Sequence, residues 1–341
     1  MRGIVWAAVC AAGLVYSAAA AAQEVVLKAH HFLPPTSVTH AKLIKPWAEK
    51  VEAESGGRIK VEVYPAMQLG GKPPQLYDQV RDGVADVVWT LPGYTAGRFP
   101  VASVFELPFM ISTAEATSQA IQAFSEEHLR AEFADVHPLL FHVHARGSFH
   151  LRTGPIERIE DLKGLKIRAP SRAIGDALAA LGAAPVFMPV PAVPQSLNRG
   201  VVDGAMLPFE VTLPLRAHEM VSHHTEIGGD RGLYTAVFLL AMNKARYDGL
   251  PADLRRVIDD SAGMGLAKRI GRVWDQAEAP GRQKALDRGN AINVLSAAEV
   301  ARMKAATQPV VDAWVADMDG RGLDGRALLR HARDLIAQYS E

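Results

Sequence analysis

The sequence predicts an α/β protein of mixed sheets covered by helices. Short apolar runs alternate with stretches of helical periodicity along most of the chain. The pattern turns mostly helical after a last strand-like segment at 235–242, and no internal repeat or low-complexity linker divides it. Strands alternating with helices are the signature of a sheet with both faces covered.

Each element has its own signal. Residues 25–32 form a short apolar run that fits a buried strand. Ala41, Ile44, Ala48 and Val51 recur at helical spacing, and Gly56-Gly57 ends that helix. Residues 60–64 alternate with period two and read as a half-buried strand. Pro73-Pro74 opens a helix through Leu76, Tyr77 and Val80 that Gly83 stops. Strands follow at 86–89, 139–145 and 165–168, then a helix carrying Ile174, Leu178 and Leu181 up to Gly182. Beyond 242 the expected helices are 253–288, interrupted at Pro280, then 297–316 and 327–339.

The first 22 residues read as an export leader. Arg2 precedes an apolar core at 4–16, and small residues lead to an A-x-A site ending at Ala22. That core is short for a membrane span. Cleavage near Ala22 leaves 319 residues and removes Arg2 and Cys10, the only cysteine. The 37 basic and 37 acidic groups become 36 and 37, a net charge of −1. A thiol-free exported chain has no disulfide framework, no thiolate zinc site and no cysteine nucleophile. Balanced charge without basic runs argues against a nucleic-acid partner.

Enzyme motifs are absent: no G-x-S-x-G, no phosphate-binding G-x-x-x-x-G-K-[ST], no H-E-x-x-H. His142, His144 and His150 are the one reactive group, and positions 142 and 144 share a strand face. A metal-dependent hydrolase built on them is one reading; satisfied imidazoles on a polar face are the other, favoured because no carboxylate stands at ligand spacing. His31, at a strand end, is the histidine best placed near a pocket. Arg168 ends the strand 165–168 just before Pro170, where ligands of open α/β sheets bind and where a planar fork matches a carboxylate. Arg146 follows the strand 139–145 in the same manner.

A set of motifs then resembles the substrate-binding proteins of tripartite ATP-independent periplasmic (TRAP) transporters, over essentially the whole mature chain. They are Ser55-Gly56-Gly57-Arg58-Ile59-Lys60-Val61-Glu62-Val63-Tyr64-Pro65, Gln68-Leu69-Gly70, Gln79-Val80-Arg81-Asp82-Gly83-Val84-Ala85-Asp86 and Glu106-Leu107-Pro108-Phe109. Asp161-Leu162-Lys163-Gly164-Leu165-Lys166-Ile167-Arg168, Arg199-Gly200-Val201-Val202-Asp203-Gly204, Met242-Asn243-Lys244 and Leu250-Pro251-Ala252-Asp253-Leu254-Arg255 complete the set. The resemblance implies a two-lobed periplasmic-binding-protein-like fold with a long helix spanning both lobes. It implies lobe I at 23–143 plus 236–275 and lobe II at 144–235 plus 276–341. It also implies a non-enzymatic role: capture of a small organic acid in the periplasm and delivery to TRAP permease membrane subunits. A monomer without cofactor or metal is expected, with an exported ligand sensor as the alternative role.

The resemblance makes Arg168 the carboxylate-binding arginine and Arg146 an assisting one. Where members that bind polar sugar acids carry asparagine, this chain has Leu207, which makes the wall more apolar. Phe209 and Glu210 follow as ligand contacts, against the alternatives of a core phenylalanine and a surface glutamate. Trp89, Tyr94 and Phe149 are candidates for aromatic packing, with the core as the alternative for Trp89. The expected ligand is a partly apolar monocarboxylate: a 2-oxo, 2-hydroxy or aromatic acid.

Overall fold

The computed structural model describes residues 24–341. The expected leader, its cleavage point and Cys10 lie outside the described residues. The strands are β1 (Val25–His31), β2 (Ile59–Tyr64), β3 (Val87–Thr90), β4 (Val136–Val143), β5 (Ser148–Leu151) and β6 (Lys166–Ala169). β7 (Ala184–Phe187), β8 (Gly204–Leu207), β9 (His223–Glu226), β10 (Val237–Asn243) and β11 (Ala291–Val294) follow. One sheet has the order β2-β1-β3-β10-β4 and the other β11-β9-β5-β8-β6-β7. Both are mixed: β1 runs parallel to β2 and β3, and β6 parallel to β7 and β8, while β10 and β5 run antiparallel to their neighbours. The α/β class is as expected. Among the described residues no helix is long and apolar enough to cross a membrane.

The strands expected at 25–32, 60–64, 86–89, 139–145, 165–168 and 235–242 appear within three residues of those bounds. β5, β7, β8, β9 and β11 had no expectation, and β11 lies between the helices expected at 253–288 and 297–316. Each is only four residues long, which leaves little pattern to read, although β3 and β6 are equally short.

The long helical segment also differs. It breaks into helices Ala252–Asp260 and Gly263–Asp287, and the second continues unbroken through Pro280. The break falls where Ala262 is extended and Gly263 takes φ +69°, a left-handed value open to glycine. Pro280 removes one internal hydrogen bond, but tertiary contacts on that turn hold the helix. Glu278 accepts hydrogen bonds from the backbone N–H groups of Phe209 (2.9 Å) and Glu210 (3.0 Å). Gly281 lies so close to Phe209 that a Cβ there would meet its carbonyl oxygen at 2.3 Å.

The same device recurs three residues earlier on the same helix. Asp275 accepts from the N–H groups of Ala114 (2.8 Å) and Glu115 (2.9 Å), the opening turn of helix Ala114–His128. Gly271 lets that turn approach, since a Cβ would meet the Ala114 oxygen at 2.4 Å. Two carboxylates of one helix therefore each satisfy the orphan donors of another helix. One partner, Ala114–His128, packs on β4 of the first sheet; the other, Phe209–Thr212, directly follows β8 of the second.

The chain crosses between sheets in the 144–147 and 227–236 connections, which lie side by side: Gly147 N–H donates to Tyr234 O (2.9 Å). The C-terminal helices also bridge. Helix Ala297–Gly320 packs on Arg172–Ala180, whereas Gly325–Tyr339 packs on Ala114–His128, so the tail from 325 onward lies against the first sheet's helix rather than wholly within the expected second lobe.

Four histidines form no metal cluster but neutral hydrogen-bond chains. Leu207 O can only accept, so His150 donates to it through Nε2 (3.0 Å) and accepts at Nδ1 from His224 Nδ1 (2.6 Å). His224 Nε2 in turn accepts from Asn290 Nδ2 (3.0 Å). His142 Nε2 accepts from Trp89 Nε1 (2.9 Å), and His144 Nε2 from the Ala236 N–H (3.1 Å). Burial pushes His150 down to about 4 and His142, His144 and His224 to about 3.

Two predictions follow from this architecture. Gly281→Ala gains up to about 1 kcal/mol of helix propensity but overpacks against rigid backbone, which costs about 1–3 kcal/mol. Net destabilisation is expected in urea unfolding, and a stabilised variant would refute the close-approach role. For His150, only the unfolded chain takes a proton between pH 6.5 and about 4, so its contribution is present above pH 6.5 and lost on acidification. His150→Gln should lower stability at pH 7 yet flatten its fall from pH 6.5 to 5 by about 2 kcal/mol. Parallel pH profiles for variant and wild type would exclude titration of the chain.

Candidate ligand-binding site

The parallel strands of both sheets point their carboxyl ends at one cleft, as open α/β topology requires of a binding site. From the first sheet, β1 delivers Phe32 and Leu33, and β3 delivers Trp89 and Leu91. From the second, β6 delivers Arg168, and β8 delivers Leu207 with Pro208. Tyr94, His144, Val190, Tyr234 and Phe238 close a cavity, and Glu210 and Val211 complete its wall.

Arg168 is 1% exposed. Ile167 beside it faces the core, so strand alternation turns the arginine to the opposite face. Its Nε donates to Met188 O (3.0 Å) and its Nη1 to Met206 O (3.3 Å), which fixes the plane of the guanidinium. Among the described residues no carboxylate stands within 4.0 Å to pair with it. Burying a cation without a counter-ion is unfavourable by several kcal/mol. The arrangement is complete only when an anion fills the cavity. The hydroxyls of Tyr94 and Tyr234 lie beside the guanidinium, and burial pushes both above the usual phenol range, so they stay neutral donors.

The remaining wall is apolar. Trp89 stacks on Phe238 with ring centroids 4.6 Å apart, and Phe32 lies 4.9 Å away on a tilt. The indole N–H is already bonded to His142, so Trp89 offers only its ring. Tyr94 also joins the two sides of the cleft, because its hydroxyl accepts from Val190 N–H (2.9 Å). Nearby, Gly93 is squeezed: a Cβ there would lie 2.7 Å from Ser171 Cβ and 3.2 Å from both Glu106 oxygens.

The structure brings Arg168, Trp89, Tyr94, Leu207 and Glu210 together and leaves four expected residues elsewhere. All three Arg146 nitrogens donate to carbonyls, Nε to Ser112 O (2.6 Å), Nη1 to Gly229 O (2.7 Å) and Nη2 to Asp230 O (2.5 Å). Arg146 thus ties the two inter-sheet connections together, and it does not line the cavity. Phe149 is a fully buried core residue of β5. Phe209 packs between His150 (4.9 Å) and His224 (5.3 Å), on the far side from Glu210's cavity face. His31 bonds His40 (3.1 Å) and also lies outside the lining; burial, His40 and His30 push it down to about 3. Sequence reasoning missed Tyr234, Val190 and Phe238. Tyr234 stands just before the expected strand 235–242 and Phe238 within it, which was the only signal for them; Val190 follows β7, a strand the pattern did not announce.

A larger recess of about 820 Å³ lies between Pro92–Leu107, helix Arg172–Ala180 and helix Ala297–Gly320. Its arginines are already paired, Arg172 with Asp176 (3.5 Å) and Arg321 with Asp317 (3.1 Å), so it offers no unmatched charge.

Comparison with known proteins agrees with this architecture. The family model described as bacterial extracellular solute-binding protein, family 7, matches residues 29–317. A TRAP solute-binding protein from Rhodoferax ferrireducens T118, solved with copurified benzoate, is 49% identical, with a TM-score of 0.91 over 92% of this chain and 98% of that one. A marine metagenome TRAP solute-binding protein specific for aromatic acid ligands, solved with 3-hydroxybenzoate, is 50% identical, with a TM-score of 0.92 over 94% and 100%. The Comamonas testosteroni protein named outer membrane transporter protein TsaT is 28% identical over 94% of this chain and 95% of its own length. With the match running from β1 into helix Ala297–Gly320, the chain belongs to family 7 of the bacterial extracellular solute-binding proteins, the binding proteins of TRAP transporters.

Proposed function

We propose that this chain captures a small aromatic monocarboxylate in the periplasm and hands it to a TRAP permease. The observation that carries this reading is the buried Arg168 guanidinium, unpaired among the described residues, at one end of a cavity walled by Trp89, Phe238, Phe32 and Leu207. The guanidinium takes the carboxylate through paired charge-assisted hydrogen bonds, strengthened by the absence of water. The apolar wall takes the ring. Leu207 offers no hydrogen bond to a sugar hydroxyl, which disfavours polar sugar acids. The two relatives near 50% identity were solved with benzoate and 3-hydroxybenzoate, which supports the same ligand class here.

In this reading the leader 1–22 is removed on export and the product is a periplasmic monomer with no nucleic-acid partner. The lobes are 23–143 plus 236–275 and 144–235 plus 276–324, with the last helix lying on the first lobe. The ligand drives closure only by its greater affinity for the closed state.

Isothermal calorimetry with benzoate and 3-hydroxybenzoate tests the assignment. Arg168→Ala should weaken both by about 2–5 kcal/mol, roughly thirtyfold or more. Undiminished affinity would rule out the carboxylate clamp. Gly93→Val tests closure separately: the added side chain props Ser171 away from Glu106, so binding should weaken and small-angle scattering with saturating benzoate should show a wider particle than wild type. An equally compact complex would show that Gly93 does not limit closure.

A further inference from the structure

One polar group on the cavity wall keeps hydrogen-bonding capacity to which the rest of the site assigns no task. Arg168 and its neighbours Tyr94 and Tyr234 form the anionic end. His144 uses both ring nitrogens on backbone, donating to Ala145 O and accepting from Ala236 N–H. The Trp89 N–H is bonded to His142. Glu210 lines the cavity and is 5% exposed; the Trp274 indole donates to its carboxyl, which receives no backbone N–H and no cation among the described residues and so keeps an oxygen for a ligand. We infer that the Glu210 carboxyl is the pocket's second polar contact, and that it selects acids carrying a hydroxyl on the ring. This rests on the aromatic-acid reading above.

Geometry separates the two polar contacts. The groups in the field of Arg168 are Tyr94, Tyr234 and His144, whereas Glu210 faces Glu278 and the Trp274 indole of helix Gly263–Asp287. A ligand held at one end by its carboxylate therefore meets Glu210 away from that end. The state of Glu210 follows from its neighbour. Burial pushes Glu278 up to about 7, and the N–H groups of Phe209 and Glu210 on its two oxygens hold it below Glu210. Glu210 has only the Trp274 indole as a donor and lies in the field of that carboxylate in a buried site. Burial and Glu278 push it up to about 8, so at neutral pH it holds the pair's proton. A neutral acid does not repel the incoming carboxylate, and it presents one donor and one acceptor, the complement of a phenol hydroxyl. No other group facing it reverses this: His142 and His144 stay neutral, and Arg168 stands with the tyrosines.

Calorimetry at pH 7 with benzoate and 3-hydroxybenzoate reads the inference directly. Wild type should prefer the hydroxylated acid by about three- to tenfold, the range of one neutral hydrogen bond. Glu210→Met should erase that preference and leave benzoate affinity within about threefold. Glu210→Gln, which keeps a donor and an acceptor, should retain the preference. Raising the pH from 7 to 9 should weaken both acids in wild type, as an anionic Glu210 then faces the ligand, and leave Glu210→Gln unaffected. Melting curves check that each variant folds. A preference that survives Glu210→Met, or is absent from wild type, overturns the inference while leaving the Arg168 clamp standing. Wild type that binds neither acid overturns both.

Discussion

A buried guanidinium with no counter-ion imposes conditions on everything around it. Arg168 has two backbone carbonyls to soften its isolation, and neither carries a full charge. The cavity therefore has to avoid any second positive charge, and it does: His144 beside Arg168 and His142 behind Trp89 are both held neutral, their nitrogens bonded to backbone or indole. It also has to avoid a resident carboxylate that would neutralise Arg168. Glu106 is buried nearby, but it accepts from the Val237 N–H (3.0 Å) and burial raises it toward the neutral form. The pocket is an unsatisfied half of an ion pair, kept so by neutral surroundings.

That pocket exists only because two sheets are held facing each other, and helix Gly263–Asp287 holds them. Gly271 with Asp275 seats one helix start, and Glu278 with Gly281 seats another. Glycine permits the contact and the carboxylate satisfies the exposed donors. Arg146 adds a second tie, binding the connections between the sheets through three carbonyls.

Much of this was legible in the sequence, and the gaps have physical causes. The strand-end rule pointed to Arg168, which lies on the cavity wall, because its strand alternates clearly and stops at a proline. For Arg146 nothing local shows that carbonyls from residues 112, 229 and 230 converge on it and hold it away from the lining. Adjacent residues fared differently for a related reason: Phe209 and Glu210 start one helical turn, so one faces the histidines and the other the cavity. The proline rule placed a break at Pro280 because it weighs only local hydrogen bonding. Tertiary contacts at Glu278 and Gly281 outweigh that loss, and the break falls at Gly263, where the backbone itself demands it. Five of the seven four-residue strands left too little pattern to read.

The spacing of Asp275 and Glu278 limits how the molecule can change shape. Three residues along a helix amount to a rise of about 4.5 Å, so the two helix starts they grip cannot slide past one another without releasing a carboxylate.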